Sequence, residues 1–342
     1  MNAYKTVLVT GGAGYISSHA TLALLQAGFD LVVLDNLCNA SAESLRRVAQ
    51  LSGRAPVFVQ GDIRDRALLD HLLAQHWVQA VLHFAGPKAV GESLAQPLSY
   101  YSNNVGGTVN LCQAMAAASV FTLLFSSSAT VYGDSATVSI TEDQPLGQIT
   151  NPYGRSKFMV EQLLGDIVAS DKRWRVALLR YFNPVGAHES GQIGEDPNGI
   201  PNNLLPFVAQ VAVGQSPELA VFGHDYPTLD GTGVSDYIHV VDLAEGHLAA
   251  LKAIYSCPGM EVWSLGTGNG YSVLQLVRAF EAASGRHVPY RLAERRPGDV
   301  ATCYAHPGKA AAELNWISKR DLHSIMRDAW RWQSQNPDGY RG

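Results

Sequence analysis

The sequence lacks a long hydrophobic run, a basic excess and any cysteine pattern. No apolar stretch reaches the ~18 residues that a membrane helix needs, so no membrane partner is expected. Lysines and arginines number 25 against 30 acids, a formal net charge of −5, which leaves no electrostatic footprint for nucleic acid. The four cysteines, Cys38, Cys112, Cys257 and Cys303, are scattered, with no Cys-x-x-Cys pair or Cys/His cluster, so no metal site is expected. They read as reduced thiols of a cytoplasmic protein. Met1 to Lys5 leads straight into an apolar strand, and no signal peptide is expected. Internal repeats and low-complexity tracts are missing too. What remains is a globular chain of 342 residues, 46% hydrophobic, long enough for two domains.

The clearest signal is Thr10-Gly11-Gly12-Ala13-Gly14-Tyr15-Ile16-Ser17. It follows the apolar run Val7-Leu8-Val9 and precedes Leu22, Leu24 and Leu25 at helical spacing. A strand, a glycine turn and a helix leave free backbone N–H groups at a helix N-terminus, where a pyrophosphate can sit. Gly11 allows the tight turn, and Gly14 removes the Cβ that would block phosphates. A second apolar run, Leu31 to Leu34, ends in Asp35, about 20 residues past the turn, where a carboxylate is expected on an adenosine ribose. An acid there favours NAD over NADP, since a 2′-phosphate would face a like charge. The third glycine position of the pattern holds Ser17, which either caps the helix or loosens the cofactor's seat.

Further strands are expected at 57–59, 80–86, 121–125 and 176–183, separated by helical segments near 42–52, from near Arg64 and over 103–118. That alternation predicts an α/β fold with a doubly wound parallel sheet, whose ligands bind beyond the carboxyl ends of the strands. Asp62 falls at that edge, near an adenine or as the cap of the helix starting near Arg64. The nucleotide-binding half is expected over 1–183, with a return segment near 236–250, and the substrate half over 184–342. Residues 184–203, rich in Gly, Pro and Asn, read as a functional loop. Glu294 to Asp299 puts cations in a second loop, suited to an anionic substrate. Trp316, Trp330 and Trp332 read as packing.

Tyr153-Gly154-Arg155-Ser156-Lys157 opens an amphipathic helix. Tyrosine and lysine four apart share one helix face. A phenol of pKa ~10 is a poor base at neutral pH. A nearby ammonium, together with the positive ring of an oxidised nicotinamide, lowers that value. Ser128, at the end of the fifth strand, supplies a hydroxyl to the reacting oxygen. The set Ser128, Tyr153 and Lys157 predicts hydride-transfer chemistry.

With these runs, and with Lys88 to Ser93, Arg180 to Ala187, Pro201 to Leu204 and Asp236 to His239, the chain resembles the UDP-glucose (UDP-galactose) 4-epimerases of the extended short-chain dehydrogenase/reductase family. The resemblance implies a Rossmann-type fold with a smaller α/β C-terminal domain, bound NAD and a homodimer. It implies that Tyr153 takes the proton of the sugar 4-hydroxyl while hydride leaves C4, and that a 4-keto sugar turns over before hydride returns to its other face. It implies Tyr15, Ile16, Asn36, Asn39, Asp62, Ile63, Phe84, Ala85, Lys88, Asn103 and Tyr181 around the cofactor, beside Gly11, Gly14, Asp35, Tyr153 and Lys157. Lys88, Ser128, Tyr153, Asn183, Asn203, Phe222, Ser235, Arg296, Asp299 and Cys303 are then expected around the substrate.

Three positions depart from that pattern. Ser17 replaces a glycine, Ser235 an arginine that meets the diphosphate, and Cys303 a tyrosine that walls the sugar pocket. Cysteine is far smaller than tyrosine, so UDP-N-acetylhexosamines are expected as substrates beside UDP-hexoses, unless Tyr304 closes the pocket instead. A nucleotide-sugar 4,6-dehydratase needs an acid–base carboxylate pair beside the strand-end hydroxyl, and Ser128-Ala129-Thr130-Val131 carries none. A nucleotide-sensing regulator has no need of an intact Tyr/Lys pair.

Overall fold

The computed structural model describes residues 5–133, 139–197, 201, 203–296 and 300–341. Asp299, expected at the substrate, lies outside the described residues. The strands are β1 (Thr6–Thr10), β2 (Asp30–Asp35), β3 (Val57–Gln60), β4 (Ala80–His83), β5 (Thr122–Ser126), β6 (Ser139–Ile140) and β7 (Arg175–Tyr181). They continue as β8 (Asn183–Val185), β9 (Leu219–Phe222), β10 (Val234–His239), β11 (Gly259–Leu265), β12 (Gly270–Ser272), β13 (Tyr290–Ala293) and β14 (Thr302–Ala305).

Seven of these form one parallel sheet in the order β11-β7-β5-β4-β1-β2-β3. The order reverses between β1 and β4, the place where a doubly wound sheet opens a crevice at its carboxyl edge. Near-continuous apolar strands make this sheet because both its faces are covered. Val7, Val9, Leu31 and Val33 point into one core, against helices Tyr15–Gln26 and Val240–Ile254. Leu8, Val32 and Leu34 point into the other, against helices Arg66–Gln75, Gly107–Ala117 and Pro152–Ser170. The period of two along each strand thus serves two hydrophobic layers.

The expected sixth strand splits. β7 ends at Tyr181, and the chain passes through Phe182 into β8, which leaves the large sheet and pairs with β10 (Tyr237↔Asn183). A smaller sheet runs β12-β10-β14-β6, with β8 on β10, and β9 pairs with β13. These short strands and helices Leu204–Ala212, Val273–Ser284 and Leu322–Gln335 share a third core around Leu205, Val277, Phe280 and Met326. After β10 the chain returns to the first half as helix Val240–Ile254 and then β11, an edge strand of the large sheet that the sequence reading did not single out. Trp316 and Trp332 are buried, as packing residues should be. None of the four cysteines is in a disulfide. Among the described residues no helix is long and apolar enough to cross a membrane, and no His/Cys/Asp/Glu group is arranged to hold a metal.

Candidate active site

The glycine turn sits where β1 meets the crevice. Gly11 has φ +67°, and a Cβ there would lie 2.7 Å from the backbone of Ala85, so only glycine lets the two strand ends come this close. Gly14 is the N-cap of helix Tyr15–Gln26, and no side chain caps that end. Its first-turn N–H groups therefore face the crevice without a side-chain acceptor. Ser17 is not the helix cap. Its hydroxyl donates to the Gly11 carbonyl at 2.5 Å, which ties the turn to the first helical turn.

Asp35 ends β2 beside this turn. Its carboxylate accepts from the N–H of Ala13 at 3.0 Å and of Leu37 at 2.8 Å, which leaves lone pairs for a further donor. Burial raises its pKa, and these two bonds oppose the rise. Asp62 does not cap the helix that follows, as Asp65 does that by accepting from the Leu68 N–H at 3.0 Å. Asp62 instead accepts from the Arg64 side chain and from Asn36 Nδ2, and the Arg64 bonds hold its carboxyl far below the ordinary range. Asn39 is exposed in the loop after β2. Ile16 and Ile63 pack into the two cores that flank the sheet. The Tyr15 phenol donates to the Gly186 carbonyl at 2.7 Å, so it links the turn's helix to the loop after β8.

On the other side of the crevice β4 ends in Phe84 and Ala85. The Phe84 ring lies 4.8 Å from the His247 ring. Asn103 falls in a π-helical turn, Tyr101–Gly106, a feature enriched at functional sites. Its neighbour Asn104 is the buried one. It donates to Ser156 Oγ at 2.9 Å and to the Pro87 carbonyl at 3.2 Å. Asn104 was not singled out, and only its position in this turn marks it.

Ser128, Tyr153 and Lys157 meet at the end of β5. Ser128 caps the short turn Ala129–Tyr132. Asn151 caps helix Pro152–Ser170 through the Gly154 N–H at 2.8 Å, and this places Tyr153 in the first turn and Lys157 one turn on. Lys157 Nζ donates to the Ser126 carbonyl at 2.7 Å and lies 4.7 Å from the Phe125 ring centre. Burial brings its pKa down to about 8, against a smaller raising effect of Glu161.

The phenol of Tyr153 is hydrogen-bonded to Ser128. Burial raises its pKa, and the group that opposes this is Ser128, by a side-chain hydrogen bond. Lys157 has its ammonium turned to the Ser126 carbonyl. Tyr181 completes this edge, its hydroxyl 2.5 Å from Ser126 Oγ.

Beneath the three lies a buried support that the motifs did not reveal. Glu161 and Arg180 form an ion pair at 2.6 Å, and Ser127 donates to the same carboxylate at 2.6 Å. Arg180 also donates to the Tyr132 hydroxyl at 3.1 Å. The strand end, the Ser128 turn and the Tyr153 helix are thereby held to one another.

In the smaller half, parallel pairing of β10 with β14 sets Ser235 opposite Cys303, so the two share one face. Cys303 packs with Val131, Tyr132 and Phe182, that is, against the turn that Ser128 caps. Burial pushes its thiol up to about 12. Asn183 Nδ2 reaches the Asp236 carbonyl at 3.4 Å. The Arg296 guanidinium lies 5.0 Å from the centre of the part-exposed Phe222 ring. Lys88 and Asn203 converge on Glu195, an acid of the loop 184–203 that was not singled out.

A model of the NAD dependent epimerase/dehydratase family matches residues 7–266. Over 335 residues the chain is 59% identical to the UDP-glucose 4-epimerase of Bacillus subtilis (strain 168), with 98% of each covered. A solved structure of the UDP-glucose 4-epimerase from Bifidobacterium longum, in complex with NAD+ and UDP, matches with a TM-score of 0.96 and 50% identity, over 98% of this chain and 100% of that one. The UDP-Glc/GlcNAc 4-epimerase from Campylobacter jejuni matches with a TM-score of 0.84 and 35% identity, over 97% and 99%.

Proposed function

The chain belongs to the NAD-dependent epimerase/dehydratase family, and from that premise we propose that it is a UDP-glucose 4-epimerase working with bound NAD. The observation that carries the reading is the meeting of Ser128, Tyr153 and Lys157 at the sheet edge that also bears the glycine turn. The turn suits the cofactor. Backbone packs on backbone at Gly11, the helix N-terminus is open, and Asp35 has spare acceptor capacity. Gly11, Gly14, Asp35 and Lys157 are the residues that would hold it. NAD, when bound, supplies the hydride acceptor and later donor, and a positive ring near the phenol.

Tyr153 takes the proton from the sugar 4-hydroxyl and later returns it. The one proton of the Ser128 hydroxyl is donated either to the Tyr153 phenolate or to the sugar 4-oxygen, whichever carries the charge. Lys157, fixed by the Ser126 carbonyl, keeps a cation in this water-poor edge. A positioned base of this kind is worth ~10²–10⁴ in rate. Since the proton and hydride return to the same carbon and oxygen, no external oxidant is consumed.

The finer reading extends the substrates to UDP-N-acetylglucosamine and UDP-N-acetylgalactosamine. It is supported by Cys303, which packs against the Ser128 turn where a tyrosine ring would fill the space of a 2-acetamido group. Purified protein is incubated separately with UDP-galactose and UDP-N-acetylgalactosamine, and each 4-epimer is assayed. Cys303→Tyr should abolish the N-acetylated interconversion and spare the plain one. Native protein that turns over plain hexoses alone refutes the size argument at Cys303.

The expected homodimer is supported by an apolar surface. Val90, Leu94, Leu98 and Met159 are exposed on helices Val90–Ala95, Pro97–Tyr100 and Pro152–Ser170, which pack together.

A further inference from the structure

Glu195 joins the two halves of the site through one oxygen. Its Oε1 lies 3.3 Å from Lys88 Nζ and accepts from Asn203 Nδ2 at 2.6 Å. Lys88 belongs to the turn after β4. Asn203 is the N-cap of helix Leu204–Ala212, yet its side chain makes no capping bond, because the amide is turned to Glu195. The carboxylate is built into place. Its side chain is only 12% exposed. Trp332 Nε1 donates to the Glu195 carbonyl at 3.2 Å, and the Tyr340 hydroxyl bonds both the N–H and the C=O of Gly194 at 3.2 Å. A Cβ at Gly194 would lie 2.4 Å from the Trp332 ring, so helix Leu322–Gln335 fits this loop only with glycine there.

We propose that Glu195 is a positioning residue that occupies two of the expected substrate-binding donors, Lys88 and Asn203, and is exchanged for the substrate's phosphate oxygens. This rests on the reading of Lys88 and Asn203 as substrate ligands given above. A carboxylate oxygen and a phosphate oxygen offer an ammonium and an amide the same kind of acceptor. The free protein therefore keeps both donors paired and ordered. A diphosphate that takes them must displace Glu195 and then sit beside its charge. Both effects weaken binding, which suits an enzyme that must release a product as large and as charged as its substrate.

The test is calorimetric titration with UDP of the full chain carrying its cofactor. Glu195→Gln keeps an acceptor for Asn203 and removes the charge opposite Lys88. UDP should bind about two- to fivefold tighter to this variant, the range of a partly exposed ion pair. KM for UDP-galactose should fall by the same factor. In a Lys88→Met background the gain from the same substitution should be smaller, because the part that runs through Lys88 is gone and only the repulsion between Glu195 and the diphosphate is relieved. If Glu195→Gln does not fold, Glu195→Asp carries the test. Its shorter side chain does not span both donors, and UDP should again bind tighter. An unchanged or weaker UDP affinity in the folded variant overturns the proposal and leaves a merely structural carboxylate. Native protein that fails to bind UDP overturns the functional reading itself, and this proposal with it.

Discussion

Ser235 and Cys303 stand side by side because β10 pairs with β14 in parallel register. Each is smaller than the residue the family pattern expects, so the two substitutions enlarge the same face. Ser235 also lacks the charge that a phosphate-binding arginine supplies. A fork of guanidinium N–H donors holds phosphate oxygens in two places, and a charged hydrogen bond is worth ~1.5–3 kcal/mol, about one to two decades in affinity. Ser235→Arg should therefore tighten UDP binding about ten- to hundredfold in a calorimetric titration. No gain would mean that Arg296, lying over Phe222, already meets the diphosphate. Ser17, the third departure, is of another kind. Its hydroxyl replaces what a glycine leaves open with a bond to the Gly11 carbonyl, so the turn is fastened where the sequence reading allowed for a looser one.

At the scale of elements, the helix Pro152–Ser170 shows what was legible and what was not. Asn151 and Pro152 announce its start, and the four-residue spacing of Tyr153 and Lys157 announces their shared face. The pairing that holds this helix to the sheet was hidden. Arg180 lies within an apolar strand, and nothing local ties it to Glu161, 19 residues earlier. Spacing alone places Lys157 near the phenol, but the ammonium prefers a carbonyl of β5, which only the tertiary fold presents. The irregular course of 186–197 was legible from its glycines, proline and small polar residues. Glu195 within it was not, because its partners come from positions 88, 203 and 332.

For the whole molecule, the alternation of strands and helices made six of the seven strands of the parallel sheet readable, since each carries its own apolar run, whereas the edge strand β11 was missed. The smaller sheet was not readable, because β8, β12 and β14 are only three or four residues long and are defined by partners far away in the chain. The assembled fold also sets an acid limit. Burial lowers the pKa of His19 and His83 to about 3 and that of His247 to about 4. The unfolded chain takes up protons on these rings below about pH 6.5, and the folded chain does not. Unfolded binds more protons than native in that window, so stability falls as the pH drops. The slope is up to ~1.4 kcal/mol per pH unit for each ring. The urea midpoint should fall between pH 6.5 and 4.5, and His247→Gln should flatten the fall by about one proton's worth; a midpoint independent of pH across that window would contradict the account. The central claim, that this chain oxidises and re-reduces one carbon of a UDP-hexose with Tyr153 as base, is tested most directly with UDP-galactose bearing deuterium at C4. The account predicts UDP-glucose that retains the deuterium at C4, and a Tyr153→Phe variant that binds UDP but forms the product ~10²–10⁴ times more slowly. Product whose label has washed out into water, or a variant as fast as the native protein, would contradict it.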